Sequence, residues 1–142
     1  SIRDISLLLR PSMLDDLGLI PALEWQARET SRRTGIDVRV SAEDADESLP
    51  DPVRTAVYRL VQEALQNVAR HSKATHARIA VARTAAGLNL TVEDDGAGFD
   101  PSRTRGLGLL GMEERVRQLG GRLEVQSAVG KGTTVRASLP VG

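Results

Sequence analysis

The chain predicts an α/β fold: a two-layer sandwich in which a mixed, mostly antiparallel sheet is covered by helices on one face. Three observations predict it. Residues 77–81 and 88–92 alternate apolar with polar side chains on either side of Ala85-Ala86-Gly87, as an antiparallel hairpin does. Segments of helical spacing lie before and after that hairpin, without the regular β-α-β alternation of a doubly wound sheet. The 142 residues, 40% hydrophobic, suffice for one domain to bury a core without disulfides or a metal staple.

The elements follow in order. Ile2, Ile5, Leu8 and Leu9 recur at helical spacing up to Pro11, which a helix interior does not accept, so a helix entering from upstream ends there. Pro11-Ser12 reads as a turn. Leu14, Leu17, Ile20, Leu23 and Ala27 then outline a second amphipathic helix, from about Leu19 to Arg33, closed by Gly35. Ile36, Val38 and Val40 alternate with polar residues as a half-buried strand would. The acidic stretch from Glu43 to Glu47 reads as a solvated loop, and Pro52 suits the first turn of the next helix.

From Val53 to about His71 the spacing is again helical, with Val57, Val61, Ala64, Leu65 and Val68 on one face. The hairpin comes next, its second strand delivering Asp94. A glycine-rich stretch from Gly96 to Gly108 follows, then a helix over Leu109 to Leu119 stopped by Gly120-Gly121, and strands over Leu123 to Ser127 and Thr133 to Leu139.

Composition excludes several functions. Lys+Arg and Asp+Glu balance at 19 each, which gives no support to nucleic acid or an anionic membrane as a partner. There is no cysteine, hence no disulfide framework, thiolate nucleophile or Cys-ligated zinc, a composition compatible with the cytoplasm. No apolar run approaches transmembrane length. The N-terminus lacks an initiator Met and a signal-peptide pattern, so the expectation is a piece of a longer chain.

The chemistry concentrates in three places. Glu63, Asn67 and His71 are spaced by one helical turn each, on the flank away from the apolar stripe. An Asn carbonyl oxygen is a suitable hard ligand for Mg2+, which shares its remaining positions with water and phosphates. A solvated helix face explains the same residues. Asp94 and Asp95 end a strand and enter Gly96-Ala97-Gly98. A carboxylate accepts hydrogen bonds and the adenine amino group donates them, so such an acid can read an adenine edge. A strand-end turn is the alternative, and a calcium loop fails because Ser102 stands where a bidentate Glu is needed.

Gly106, Gly108 and Gly111 match G-x-G-x-x-G, yet a polar segment separates them from the preceding strand, which argues against a dinucleotide fold. Free N–H groups at the start of the Leu109 helix can still hold phosphate. Arg103, Arg105 and Lys131 can add charge, and the stretch from Gly96 to Gly108 has the composition of a lid. Gly132 and Thr133 open the last strand, where a bare hairpin turn explains the glycine equally well. His76 reads as structural or exposed, and Trp25 as a packing residue.

Together these pieces resemble a known family. Glu63-Ala64-Leu65-Gln66-Asn67, Asp94-Asp95-Gly96-Ala97-Gly98, Gly106-Leu107-Gly108-Leu109 and Gly132-Thr133 are similar, in that order, to the N box, the two glycine boxes and the final Gly-Thr element of the GHKL ATPases. Leu9-Arg10-Pro11, Leu14-Asp15-Asp16-Leu17-Gly18-Leu19, Arg70-His71-Ser72-Lys73-Ala74 and Gly108-Leu109-Leu110-Gly111-Met112-Glu113-Glu114-Arg115 look like the nitrate-sensor and DesK-type sensor histidine kinases.

The resemblance implies the Bergerat fold, with ATP between helices and sheet. Asn67 would hold Mg2+ on the phosphates, Asp94 would contact the adenine amino group, and Gly96 and Gly98 would let backbone pass beside the base. Gly106, Leu107, Gly108 and Leu109 would form the lid hinge and phosphate approach, and Thr133 would support the adenine end. Arg70 and His71 occupy the stretch of phosphate-facing basic groups, either being the one that reaches. Glu63 is the implied catalytic base. The family's phosphoacceptor histidine lies on an upstream dimerisation helix, and His71 and His76 are not at such a position, so residues 1–10 would be the remnant of that domain and 11–142 the catalytic ATP-binding domain. Implied partners are the chain's own dimerisation domain and a response regulator of the NarL type. A serine kinase of the anti-sigma-factor kind and a nucleotide-binding module without kinase activity are the alternatives.

Overall fold

The alternation at 77–81 and 88–92 becomes a hairpin in the computed structural model, which describes residues 12–43, 49–98 and 109–141. Strand β2 (His76–Thr84) and strand β3 (Gly87–Asp94) pair antiparallel around Ala85-Ala86, with Thr84 opposite Gly87. Gly87 belongs to the strand rather than the turn. Strand β1 (Asp37–Glu43) lies parallel to β2, while β5 (Thr133–Leu139) pairs antiparallel with both β3 and β4 (Arg122–Ser127). The order β1-β2-β3-β5-β4 therefore holds one parallel and three antiparallel pairings, the mixed sheet that the sequence predicts.

Side chains alternate across a strand, and here one face is apolar. Val38, Ile79, Val81, Leu90, Val92, Val135 and Ala137 are buried. They meet Leu23 and Ala27 of helix α2 (Leu19–Thr34), Val57, Val61 and Leu65 of α3 (Asp51–Asn67), and Met112 and Val116 of α4 (Leu109–Gln118) in one core. The opposite face carries exposed Arg39, Arg78, Asn89, Arg122 and Arg136. With few aromatic residues available, branched aliphatic side chains fill the interior, and burying each contributes about 1.5–3 kcal/mol.

Several expectations change. Ser12 opens a short helix, α1 (Ser12–Leu17), rather than closing a turn; Gly18, with φ 89°, breaks it from α2. Gly35 ends α2 in the left-handed conformation, its N–H bonded to Ser31 O at 2.8 Å. Trp25 is 41% exposed, so it packs with only part of its surface and lies outside the buried core. Its neighbour Gln26 is the buried one, its Nε2 donating to Tyr58 O at 3.1 Å and tying α2 to α3. The third helix stops being α-helical at Asn67, and Val68–Ser72 continues as a π turn ended by Lys73 at φ 54°. Glu43 closes β1 instead of opening a loop, and the rest of the acidic stretch lies outside the described residues. Outside them too lie residues 1–11, and with them the helix and remnant domain expected there.

Candidate functional site

One end of the sheet gathers part of what the sequence singles out: Asp94, Asp95, Gly96, Gly98, Gly132 and Thr133. At that end β2 begins and β3 finishes, with Ala77 opposite Asp94, while Thr133, the first residue of β5, flanks Asp94 on the other side. Three connections therefore converge there: the link 73–75 from the π turn to β2, the strand exit 95–98, and the loop 128–132 between β4 and β5.

Asp94 shares its strand face with Val92 and Leu90, so its side chain is on the covered side of the sheet. Gly96 N donates to its Oδ1 at 2.8 Å, closing a local turn, and the Thr133 N–H also reaches the carboxylate. Burial pushes the Asp94 carboxyl above the usual aspartate value and the Asp95 charge acts in the same direction, while the two backbone donors oppose them. A carboxylate offers about four acceptor positions, so two donors leave room for a ligand amino group.

Asp95 behaves differently. Its Oδ1 accepts from Thr75 N at 2.8 Å and His76 N at 2.9 Å, and its Oδ2 accepts from Thr75 Oγ1 at 2.7 Å. His76 Nδ1 lies 3.2 Å from Oδ2, and the ring is exposed, one of the two readings that the sequence leaves open. The His76 N–H and the Thr75 donors hold the Asp95 carboxyl well below the usual range. The paired acids thus divide their work: one is desolvated beside the helices, the other is saturated by the neighbouring segment.

The glycines divide theirs too. A β-carbon on Gly98 would stand 2.1 Å from Ala128 O, and φ there is 67°. The 128–132 loop, joined by Gly130 N to Ala97 O, is therefore sufficient reason for glycine at 98. Gly132, at φ 75°, lies against Asp94 O in the same way. Ser127 Oγ sits 2.8 Å from Thr133 Oγ1 and donates to Gly132 O at 3.0 Å, fixing the Gly-Thr corner beside Asp94. Sequence reasoning missed Ser127 and Thr75, small hydroxyl residues that join no motif; their only signal is position beside Gly132-Thr133 and before His76.

On the helical side, Glu63 and Asn67 are half-buried on α3, with Asn67 its last residue. Arg70 is exposed in the π turn, and His71 lies in the same turn. Because that turn follows an i→i+5 pattern, four residues fall short of a full revolution, and the regular Glu63-Asn67-His71 spacing does not extend to His71. Leu109 starts α4 and packs partly against the core, which gives it a structural role beside the one the resemblance implies. Gly106, Leu107, Gly108 and the lid expected around them lie outside the described residues. The outer face carries a hollow of about 700 Å³ between Thr91, Arg122 and Arg136, but neither Asp94 nor Asn67 is among its walls.

Among the described residues no three His, Asp or Glu side chains converge on a metal-sized space.

Residues 53–142 match the family described as histidine kinase-, DNA gyrase B- and HSP90-like ATPase. The chain is 38% identical over 142 residues to the signal transduction histidine-protein kinase/phosphatase DegS of Brevibacillus brevis, covering 99% of this chain and 37% of that protein. It is 40% identical over 144 residues to the sensor histidine kinase MctS of Rhizobium johnstonii, covering 98% of this chain and 31% of that one. The chain thus spans only about a third of the length of these relatives. Among solved structures, the histidine kinase domain of a blue-light activated kinase from Erythrobacter litoralis superposes with a TM-score of 0.67 at 27% identity, covering 84% of this chain and 59% of that one. The ATP-binding domain of PrrB from Mycobacterium tuberculosis does so with 0.62 at 23% identity, covering 86% and 93%, a likeness of fold alone. The match over residues 53–142 takes in well over half of the chain, and the chain belongs to the histidine kinase-, DNA gyrase B- and HSP90-like ATPase family.

Proposed function

We propose that this chain is the ATP-binding catalytic domain of a two-component sensor histidine kinase, donating the γ-phosphoryl group of ATP to a histidine on a dimerisation domain. The observation that carries the reading is Asp94. It is a partly desolvated carboxylate at the sheet end, fixed by Gly96 and Thr133 N–H groups and with acceptor capacity to spare for an adenine amino group. The names of the two curated relatives favour a histidine over a serine as acceptor.

The proposed roles follow from position. Asp94 orients the base, with Thr133 and Ser127 holding the backbone beside it. Asn67, at the end of α3, offers its carbonyl oxygen to Mg2+, and Arg70 or His71, on the next turn, faces the phosphates. Gly106, Leu107, Gly108 and Leu109 form the approach to the phosphates and the hinge of the lid. Glu63, one turn before Asn67, takes or holds the proton of the acceptor imidazole while that ring's other nitrogen attacks the γ-phosphorus, whose bond to the bridging oxygen breaks to release ADP. Mg2+, when bound, neutralises charge on the phosphates. Positioning and charge neutralisation carry most of phosphoryl transfer, so a rigid platform is what the fold must supply. The phosphoryl group then passes to a response regulator, of the NarL type by the family resemblance. The proposed location is the cytoplasm; among the described residues no helix is long and apolar enough to cross a membrane.

Transfer of label tests this. The chain, incubated with γ-phosphoryl-labelled ATP, Mg2+ and a separately supplied dimerisation-helix fragment, is expected to place acid-labile, base-stable phosphate on that fragment. Acid-stable label, or none with an acceptor that a full-length kinase does phosphorylate, would reject the histidine kinase reading.

A further inference from the structure

The link that runs from the end of α3 to β2 meets, at Thr75 and His76, the strand end that carries Asp94 and Asp95. Between Asn67 and β2 the chain is short and irregular. It holds the π turn, then Lys73 in the left-handed region at φ 54°, then buried Ala74. A non-glycine residue in that conformation is strained and persists only where the surroundings over-determine it.

We propose that Asp95 is a positioning residue, a carboxylate latch that fixes the segment following Asn67 against the strand end, and so sets the phosphate-binding groups relative to the base-binding one. The latch rests on the nucleotide reading above. Its geometry is not that of a strand-end turn, in which an Asp side chain binds backbone two residues on. Asp94 does that, through Gly96. Asp95 instead reaches residues 19 and 20 positions upstream, taking the N–H groups of Thr75 and His76 and the hydroxyl of Thr75. The strand end is bound in return, because Asp95 N donates to His76 O at 3.2 Å. Thr75 is held from its other side by Asp37 N, which donates to Thr75 O at 3.0 Å. The exit of the π turn is thus clamped between β1 and β3.

Three donors converge on Asp95, and only a carboxylate accepts from all of them at full strength. An amide at 95 keeps one acceptor oxygen for the two N–H groups and has lost the charge. A methyl group keeps nothing. The consequence falls on the Asn67 side, because Asp94 retains its own partners, Gly96 and Thr133, without the latch.

The test measures two probes, Mg-ATP by calorimetry and adenosine by NMR titration, against the chain and its variants. Asp95→Ala is expected to weaken Mg-ATP about tenfold, and Asp95→Asn and Thr75→Val about threefold each, with adenosine affinity within about twofold throughout. The double variant Asp95→Ala/Thr75→Val should be no weaker than Asp95→Ala by more than about twofold, because the hydroxyl contact that Thr75→Val removes is already lost in Asp95→Ala. Amide exchange at Thr75 and His76 should accelerate in the Asp95 variants, and Thr75→Val carries the test if Asp95→Ala does not fold. Unchanged Mg-ATP affinity, or equal loss of Mg-ATP and adenosine, overturns the latch. A parent chain that binds neither probe overturns the nucleotide reading itself.

Discussion

Gly132 lies so close to Asp94 that a β-carbon at 132 would stand 2.3 Å from the Asp94 carbonyl oxygen, at a φ of 75°. Gly132→Ala must therefore move the strand end that carries the acid or the loop that supports it. The expected loss is about 2–4 kcal/mol in urea unfolding, combining left-handed strain with overpacking. Gly130→Ala separates the two causes. Gly130 has a similar φ of 80° but nothing within 4 Å of its β-carbon position, so about 1–2 kcal/mol of strain is all that should be lost.

Lys73 is the one non-glycine residue with positive φ among the described residues. Lys73→Gly removes the steric conflict at that position while adding unfolded-state freedom, and a net gain of about 0.5–1 kcal/mol is expected in chemical unfolding. A loss would mean that the Lys73 side chain contributes more than its backbone costs.

Ile79 is fully buried beneath the helices, whereas Leu110, two residues before Met112 on α4, is 73% exposed. Ile79→Ala should lower stability by about 2–5 kcal/mol through lost burial and a residual cavity. Leu110→Ala should change it by no more than about 0.5 kcal/mol. Parallel unfolding curves of the two variants check that the core lies between sheet and helices and not on the outer side of α4.

Two adjacent carboxyls should titrate on opposite sides of the ordinary aspartate value of 3.8. Asp95 is depressed, so its stabilising contribution is complete above the unfolded value and is lost as pH falls through its folded one. Asp94 is raised, so it favours the folded state below the unfolded value, and that contribution is lost as pH rises through its folded one. Carbon-detected NMR of the side-chain carboxyls measures both. The Asp94 midpoint is expected above 3.8 and the Asp95 midpoint below it; the reverse order would mean that the roles of the two acids are exchanged.

Much of the fold was legible because its signals are periodic. Val57, Val61, Ala64, Leu65 and Val68 repeat every turn, and all five are buried. Alternation in β2, β3 and β5 marked the covered face directly, and Thr133–Leu139 has the bounds that its pattern predicts. The π turn after Asn67 was not legible, since Val68, Ala69 and Arg70 suit an α-helix equally well and only tertiary contacts select the wider winding. The paired acids and their glycines were legible as a strand exit, and they do lie together at one end of the sheet. Which acid does what was hidden, because the division between Asp94 and Asp95 depends on strand parity and on Thr75, some twenty residues away. Ser127 was invisible for the same reason: its partners Gly132 and Thr133 are adjacent only across the β4–β5 pairing.

The most direct measurement is a calorimetric titration of the chain with Mg-ATP, repeated for Asp94→Asn. An amide at 94 places a donor where the adenine amino group also donates, in a partly desolvated site, and a loss of at least about tenfold in affinity is expected, with the thermal unfolding midpoint little changed. Equal affinity in the two proteins would contradict the account, because nothing else on the covered face of the sheet end has been given the task of reading the base.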